Sequence, residues 1–373
     1  MKKIFVIAVI ALTIFSITNL AYGFTLKEEA RYDVKDFIQL MGDKILTPQS
    51  FNFAFMNGNL FALVRDNRTR NLEWYVINPY SNKIVHKGNC PFKVFYNYSI
   101  SPDSNNALVY TKYPTALWHL ETNTGKWKKI YENPGEGEAG FSITRETSLI
   151  YPEVFRAYSL MDVWDEEHFI VDYSITAIYP ESGQLTRAAS IGELRKDALG
   201  VLTQGARVPK GTKISLSKIR MAGNNALAFL LRTESDKKED LNQNSIFTFK
   251  APSDLCLSVK SQNGLIPLDY RPENNNLLFA ESSEKGMMVY QLKDGKKTEL
   301  FAGKALMGRI FDNGNIGIAT IDGGNMNIYL GTPGEKFEKV VSFNKPYAVG
   351  FTNDGTKAVF IGITHVICAR IYK

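Results

Sequence analysis

The densest run of side chains able to do chemistry is MDVWDEEHF, Met161 to Phe169. Asp162, Asp165, Glu166, Glu167 and His168 could offer oxygen and nitrogen ligands to a cation, and Trp164 an aromatic platform for a bound group. A metal site usually draws ligands that converge from separate segments, and no linear signal announces such convergence here. The run therefore reads first as a solvated acidic loop and second as the lip of a binding surface. Trp164, Asp165, Glu166 and His168 are the candidate binding residues, with no metal, cofactor or catalytic residue assigned.

The rest of the chain adds little chemistry. Four histidines occur, His86, His119, His168 and His365; His119 lies inside ALWHL and His365 inside ITHVICA, settings that suit structural imidazoles. There is no G-x-S-x-G, no H-E-x-x-H and no glycine-rich phosphate loop. Three cysteines, Cys90, Cys256 and Cys368, form no C-x-x-C, which argues against a zinc ribbon, a thioredoxin-like site or attached c-type haem. Each lies in or beside an apolar run, so buried, inert thiols are expected. The mixed-charge stretch Arg232 to Asn244 reads as a solvent-exposed excursion.

What positions these residues begins with the chain's start. Lys2 and Lys3 precede an apolar run from Ile4 to about Ile17, and Ala21-Tyr22-Gly23 offers small residues for cleavage. That order of features predicts a secretory signal peptide over residues 1–23 and a periplasmic or secreted product. No later apolar run is long enough to cross a bilayer. The formal net charge of +6 over 373 residues, two of it from Lys2 and Lys3, gives no reason to expect nucleic acid as a partner. With 44% hydrophobic and 12% aromatic residues, material for a core is ample.

Residues 24–50 predict a short helix and a strand. Thr25 and Glu28 make a T-x-x-E capping box, Ala30, Val34, Phe37, Ile38 and Met41 recur at helical spacing, and Gly42 is a natural stop. Lys44 to Pro48 follows as an extended segment. From Phe51 the hydrophobic period becomes two, and one unit recurs over residues 51–373: apolar strand, polar turn, strand, loop, strand, Gly or Asn turn, strand. Its first turns fall near Asn57, Asp103, Glu146, Asn224, Asn274, Asn313 and Asp354, a spacing of about 50 residues that suits propeller blades. Three stretches stand as extras: Arg156 to His168, Glu193 to Thr212 with a short helix, and Thr233 to Asn244.

A lone four-stranded sheet leaves two faces and two edges bare, whereas radial stacking covers the faces and most edges. The fold class predicted is therefore all-β, a propeller of seven four-stranded blades. A sandwich pair explains the seven-fold recurrence less well. The last copy ends at Lys373 after three strands, so an N-terminal segment, Lys44 to Pro48, is expected to close the ring beside Ile367 to Tyr372.

SPDSNNALVY with LWHLETNTG, RPENNNLLFA and TNDGTKAVF resemble the S-P-D-G-x-x-L-A-Y…D-x-x-T-G repeat of TolB-like and WD40-like propellers. The resemblance implies architecture. TolB-like proteins carry an α/β domain ahead of the ring, and only residues 24–50 stand there here, so a Tol-Pal role is not implied. Function is then expected among three classes. The first is a non-catalytic exported scaffold that binds another protein or a cell-envelope component. The second is a propeller enzyme of metal-assisted hydrolase or lactonase type, with its site at the central channel. The third is an accessory subunit of an exported redox or polysaccharide-processing complex.

Overall fold

The computed structural model describes residues 24–33 and 51–373, apart from 67, 136–137, 145–148, 168–169, 224, 285, 345 and 363–364. Seven antiparallel sheets follow one another around a ring, the strand nearest the channel coming first in each. Blade 1 covers residues 51–89, blade 2 95–132, blade 3 140–190, blade 4 213–261, blade 5 264–302 and blade 6 305–344. Blade 7 takes three strands from residues 346–372 and its fourth from Thr25–Asp33. The seven-bladed architecture expected from the repeat is the one observed.

The recurrent turn has a physical basis visible twice over. In blade 2, Ser101 Oγ donates to Asp103 Oδ1 at 2.5 Å, Asn105 N donates to the same oxygen at 3.1 Å, and Asn106 N donates to Ser101 Oγ at 2.9 Å. Blade 7 repeats this with Thr352, Asp354, Thr356 and Lys357 at 2.6, 3.0 and 3.0 Å. A short hydroxyl and a carboxylate two residues apart satisfy the backbone donors that a tight turn leaves free. These turns also link neighbouring blades: Met56 N donates to Pro102 O, Asn353 N to Phe55 O, and Asp312 N to Asn353 O. We call the end of the ring that carries them the first-turn face, and the opposite end, with the second-to-third hairpins and the inter-blade connections, the crossover face.

Seven buried clusters lie between successive blades. Between blades 1 and 2, for example, Phe61, Trp74, Val76, Ile100, Val109 and Leu120 pack together. Where the blades 7 and 1 inner strands meet, Gly350 is required: a Cβ there would stand 2.5 Å from the Phe53 ring.

The ring is closed by an N-terminal strand, but an earlier one than expected. Thr25–Asp33 is a strand, not the start of a helix, and it pairs antiparallel with His365–Tyr372 from Thr25↔Tyr372 to Asp33↔His365. The rest of the expected helix, from Val34 on, and the Lys44 to Pro48 segment lie outside the described residues, as does the signal-peptide stretch 1–23. Thr25 and Glu28, read as a capping box, lie within the closing strand, which carries a bulge between Glu28 and Ala30. The bulge flips the alternation, so that Leu26 joins the cluster shared with blade 6 while Ala30 and Tyr32 join the one shared with blade 1.

Candidate binding edge and channel mouth

Blade 3 departs most from the repeat. Its inner strand is broken into Gly140–Ser142 and Leu149–Ile150, both pairing with Ala157–Trp164. The stretch Arg156 to His168, expected as an insertion, is thus largely the blade's second strand. The third strand, Ile170–Tyr179, is ten residues long. The outer strand, Gln184–Ser190, pairs with it only from Ser174 to Tyr179. At Ser190 the chain leaves as the helix Ile191–Thr203, whose first turn is capped by the Ser190 hydroxyl accepting from Glu193 N at 3.1 Å. Residues 170–173 therefore run on toward the crossover face with no strand on their outer side among the described residues. Ile170, Val171 and Tyr173 are 46, 58 and 51% exposed.

The hairpin that carries this edge also carries the residues singled out in the sequence. Trp164 ends the second strand and pairs with Ile170 across a bulge at Val163/Trp164. Asp165 opens the turn and accepts from Glu167 N at 3.0 Å, and Glu166 is exposed. His168 lies outside the described residues. Among the described residues, no group of three or more His, Cys, Asp or Glu side chains could hold a metal ion. The acidic side chains form a solvent-facing tip, while the aliphatic and aromatic residues just behind it, which the motif search passed over, make the distinctive surface. Their signal was a β-branched run too long for its outer partner.

Below the edge lies a cleft of about 300 Å³ between blades 3 and 4, lined by Tyr158, Leu160 and Ile175 on one wall and Leu216, Ile219 and Met221 on the other. Tyr173 is two residues from Ile175, hence on the same sheet face, and continues the first wall outward. The second wall is the inner strand of blade 4, which bulges between Ser217 and Arg220 around Lys218, a residue with φ of 52°. At the first-turn face the two blades are clasped shut. Arg156 reaches Glu153 at 2.9 Å and Asn225 Oδ1 at 3.0 Å, and Tyr158 OH accepts from Asn225 N at 2.8 Å. Burial raises the Tyr158 phenol far above its ordinary range, aided by Glu153.

The channel mouth on the first-turn face is laced by inner-strand side chains that each reach the next blade. Asn52 Nδ2 donates to Tyr98 O at 3.3 Å, Arg220 Nε to Pro267 O at 3.1 Å, and Ile310 N to Asp269 Oδ2 at 2.8 Å. Arg271 donates to Ile310 O through Nε at 3.1 Å, and Arg309 donates to Asn353 Oδ1 with its guanidinium 4.5 Å over the Phe55 ring. Neither the arginines nor Asp269 carried a sequence signal, because each comes alone from its own blade.

The thiols divide. Cys368 is buried and Cys90 half-buried, whereas Cys256 is exposed on the outer strand of blade 4, against expectation; none is in a disulfide. Burial pushes the Cys368 thiol up to about 12 and the Cys90 thiol higher still. His119 is buried as a structural imidazole, its Nε2 2.9 Å from Asn106 Oδ1. Among the described residues no helix is long and apolar enough to cross a membrane.

No protein family's profile matches the chain, and no curated protein matches it. Solved structures do. Oligogalacturonate lyase in complex with manganese superposes with a TM-score of 0.56 at 10% identity, over 94% of this chain and 91% of that one. Oligogalacturonate lyase from Vibrio parahaemolyticus gives 0.54 at 10% identity, over 88% and 91%. The β-propeller domain of the trilobed protease from Pyrococcus furiosus gives 0.51 at 12% identity, over 83% and 90%. At such identities the likeness shows the propeller fold alone. That last domain is described as having an open velcro topology; here Thr25–Asp33 closes the ring.

Proposed function

We propose that the chain is an exported, non-catalytic propeller scaffold that holds another protein, or a protein component of the cell envelope, by accepting one of its extended segments as an added strand on blade 3. The observation that carries this reading is the edge Ile170–Tyr173, which has no paired strand on its outer side among the described residues and is exposed through Ile170, Val171 and Tyr173, although Asp172 between them is held by Arg187 at 3.5 Å. Unpaired strand edges with apolar side chains are templates for pairing with another chain. Such strand addition draws affinity from main-chain hydrogen bonds and selectivity from pockets that take alternate side chains. The cleft against blade 4 supplies an apolar pocket at the foot of the edge. Export is inferred from the signal-peptide pattern of residues 1–23.

A metal-assisted hydrolase or lactonase would gather carboxylate and amide side chains at a channel mouth. Among the described residues, the inner-strand side chains that bridge blades 4 to 6 at the first-turn face are Arg220, Arg271 and Arg309, with the half-buried Asp269 on Ile310 N. That balance favours the scaffold. The test is a photo-crosslinking residue placed at Val171 and, as a control, at Leu257 on the outer strand of blade 4, in the native host. Crosslinking to one protein from position 171 only, abolished by Tyr173→Lys with an unchanged melting temperature, is the expected result. Equal crosslinking from both positions, or none from 171, would refute the edge as the docking site.

A further inference from the structure

We infer that the cleft between blades 5 and 6 on the first-turn face is a binding site for a neutral saccharide. It measures about 530 Å³, a volume usual for small-molecule sites, and opens where the first turns and the third-to-fourth turns of the two blades meet. A bond made elsewhere in the ring is missing here. Asn59, Asn106, Asn276 and Asn315 hold matching places, each directly before a matching pair of first and second strands: Leu60 with Phe53, Ala107 with Ile100, Leu277 with Tyr270 and Ile316 with Ile310. In blade 1, Asn59 Nδ2 donates to Ser104 Oγ of blade 2 at 2.9 Å, and Asn57 Nδ2 reaches the same oxygen at 2.7 Å. The residue of blade 6 that matches Ser104 is Gly314: the N–H of each closes its first turn, on Ser101 O and on Phe311 O, both at 2.9 Å. Gly314 has no hydroxyl to offer, and a Cβ there would meet nothing within 4 Å.

Two buried amides are left incomplete as a result. Asn276 and Gln291, 2 and 5% exposed, line the cleft and bond to each other, Gln291 Nε2 donating to Asn276 Oδ1 at 3.0 Å. Asn276 Nδ2 and Gln291 Oε1 have no hydrogen-bond partner among the described residues. Turning both amides over exchanges their roles and still leaves one N–H donor and one carbonyl acceptor open. Buried polar groups ordinarily have partners, so the cleft suits a ligand group that donates and accepts at one place, as a hydroxyl does. Asn274, Asn313 and Thr332 add two amides and a hydroxyl to the lining. Charge does not select the ligand. The walls carry Arg271 and Lys293 but also Glu273 and Asp312, with Arg271 and Asp312 3.3 Å apart. Just outside, Asp269 lies 3.9 Å from Arg271 Nε and Lys373 Nζ donates to Thr332 Oγ1 at 2.9 Å, one side chain of each sign. Charges so balanced reward neither an anion nor a cation. A sugar, uncharged and dense in hydroxyls, meets both conditions.

The site lies on the face opposite the blade 3 edge, so either can fail without the other. Calorimetric titration of the folded chain with glucose, galactose, N-acetylglucosamine, maltose and cellobiose tests it, with glucuronate as the charged counterpart. At least one neutral sugar should bind saturably at a Kd of about 1 mM or tighter, with little change on adding salt, and glucuronate should bind no more tightly than glucose. Gly314→Ser supplies the hydroxyl that Ser104 gives to Asn59, and Ser104 itself takes a φ of 63° where Gly314 has 82°. That variant should keep a melting temperature near that of the wild type and weaken sugar binding at least about tenfold. N274A, which removes an exposed amide of the lining, should weaken it about threefold. G324S places the same side chain at a φ of 83° in open space on the crossover face of blade 6, and should leave binding unchanged. Failure of all the neutral sugars to bind, binding shown by glucuronate alone or abolished by salt, undiminished affinity in folded G314S or in N274A, or an equal loss in G324S would each overturn the site.

Discussion

Replacing His119 by Gln should leave stability near neutral pH almost unchanged and remove part of the molecule's sensitivity to mild acid. The precedent is inside the molecule. In blade 5, Gln291 Nε2 donates to Asn276 Oδ1 at 3.0 Å, and in blade 2 His119 Nε2 meets Asn106 Oδ1 at 2.9 Å. The two side chains occupy matching places, since Leu278 pairs with Gln291 as Leu108 pairs with His119. Both are buried, at 5 and 3% exposed. What differs is titration. Burial holds His119 below the ordinary histidine pKa, with Lys128 acting in the same direction and Glu121 and Glu181 against it.

Because the folded value is the lower one, the unfolded chain takes up the proton first as pH falls. The stability that neutral His119 contributes is complete above an unfolded pKa of about 6.5 and declines below it. Between about pH 7.5 and about pH 5.5 the loss is at most about 1.4 kcal/mol, the most one such group can supply over that interval. Urea unfolding of wild type and H119Q at both pH values measures it, with the carboxylates common to the two proteins cancelling in the comparison. H119Q should lie within about 1 kcal/mol of wild type at the higher pH and lose less on acidification. An identical acid decrement in both proteins would show that His119 is not the group responsible. A loss of several kcal/mol at the higher pH would show that the two blade positions are not equivalent.

Asp103→Ala and Asp354→Ala should each cost about 1–2 kcal/mol in urea unfolding, since each carboxylate holds a hydroxyl and a backbone N–H of its turn. Burial opposes it, but hydrogen bonds from Thr352 and Thr356 hold the Asp354 pKa below the usual carboxylate range, so its contribution is present near neutral pH and lost in acid as that folded value is crossed. Removing residues 1–33 strips the outer strand from His365–Tyr372 and should lower the melting temperature markedly; a peptide of residues 24–33 added in excess should restore part of it. Ellman's reagent should modify only Cys256 in the native protein, and Cys90 and Cys368 only after unfolding.

The parts legible in the sequence were those repeated in it. A hydroxyl–x–Asp turn does the same work in blades 2 and 7, so the same letters recur, and the recurrence of the strand–turn unit at about 50 residues counted the blades. What does not repeat was read less well. The T-x-x-E spacing of Thr25 and Glu28 suits a helix start but here lies in the closing strand. In blade 3 the broken inner strand displaced the reading by one element, so that a strand, Ala157–Trp164, was taken for part of an insertion. The channel-mouth arginines were invisible because a ring brings together single residues from different blades. Cys256 sits in a run that alternates, and alternation alone does not say which face of an outermost strand is covered.

Blade 3 and the channel mouth are the places where the ring does more than its closure requires. A blade needs its inner strand to seal the channel side and its outer strand to cover the third. In blade 3 the first is broken and the second stops four residues short of the third strand's start, which leaves the apolar Ile170, Val171 and Tyr173 exposed. Charged side chains and proline are the ordinary protection of such an edge against unwanted pairing, and from Ile170 to Tyr173 the one charge is Asp172, which pairs with Arg187 at 3.5 Å. At the channel mouth, an asparagine suffices to bridge blade 1 to blade 2, yet the bridges from blades 4, 5 and 6 use arginines, and one leaves a buried N–H unsatisfied. Both features cost stability or solubility in an isolated ring. Under the proposed function, the blade 3 edge becomes favourable once an added strand is bound at the crossover face.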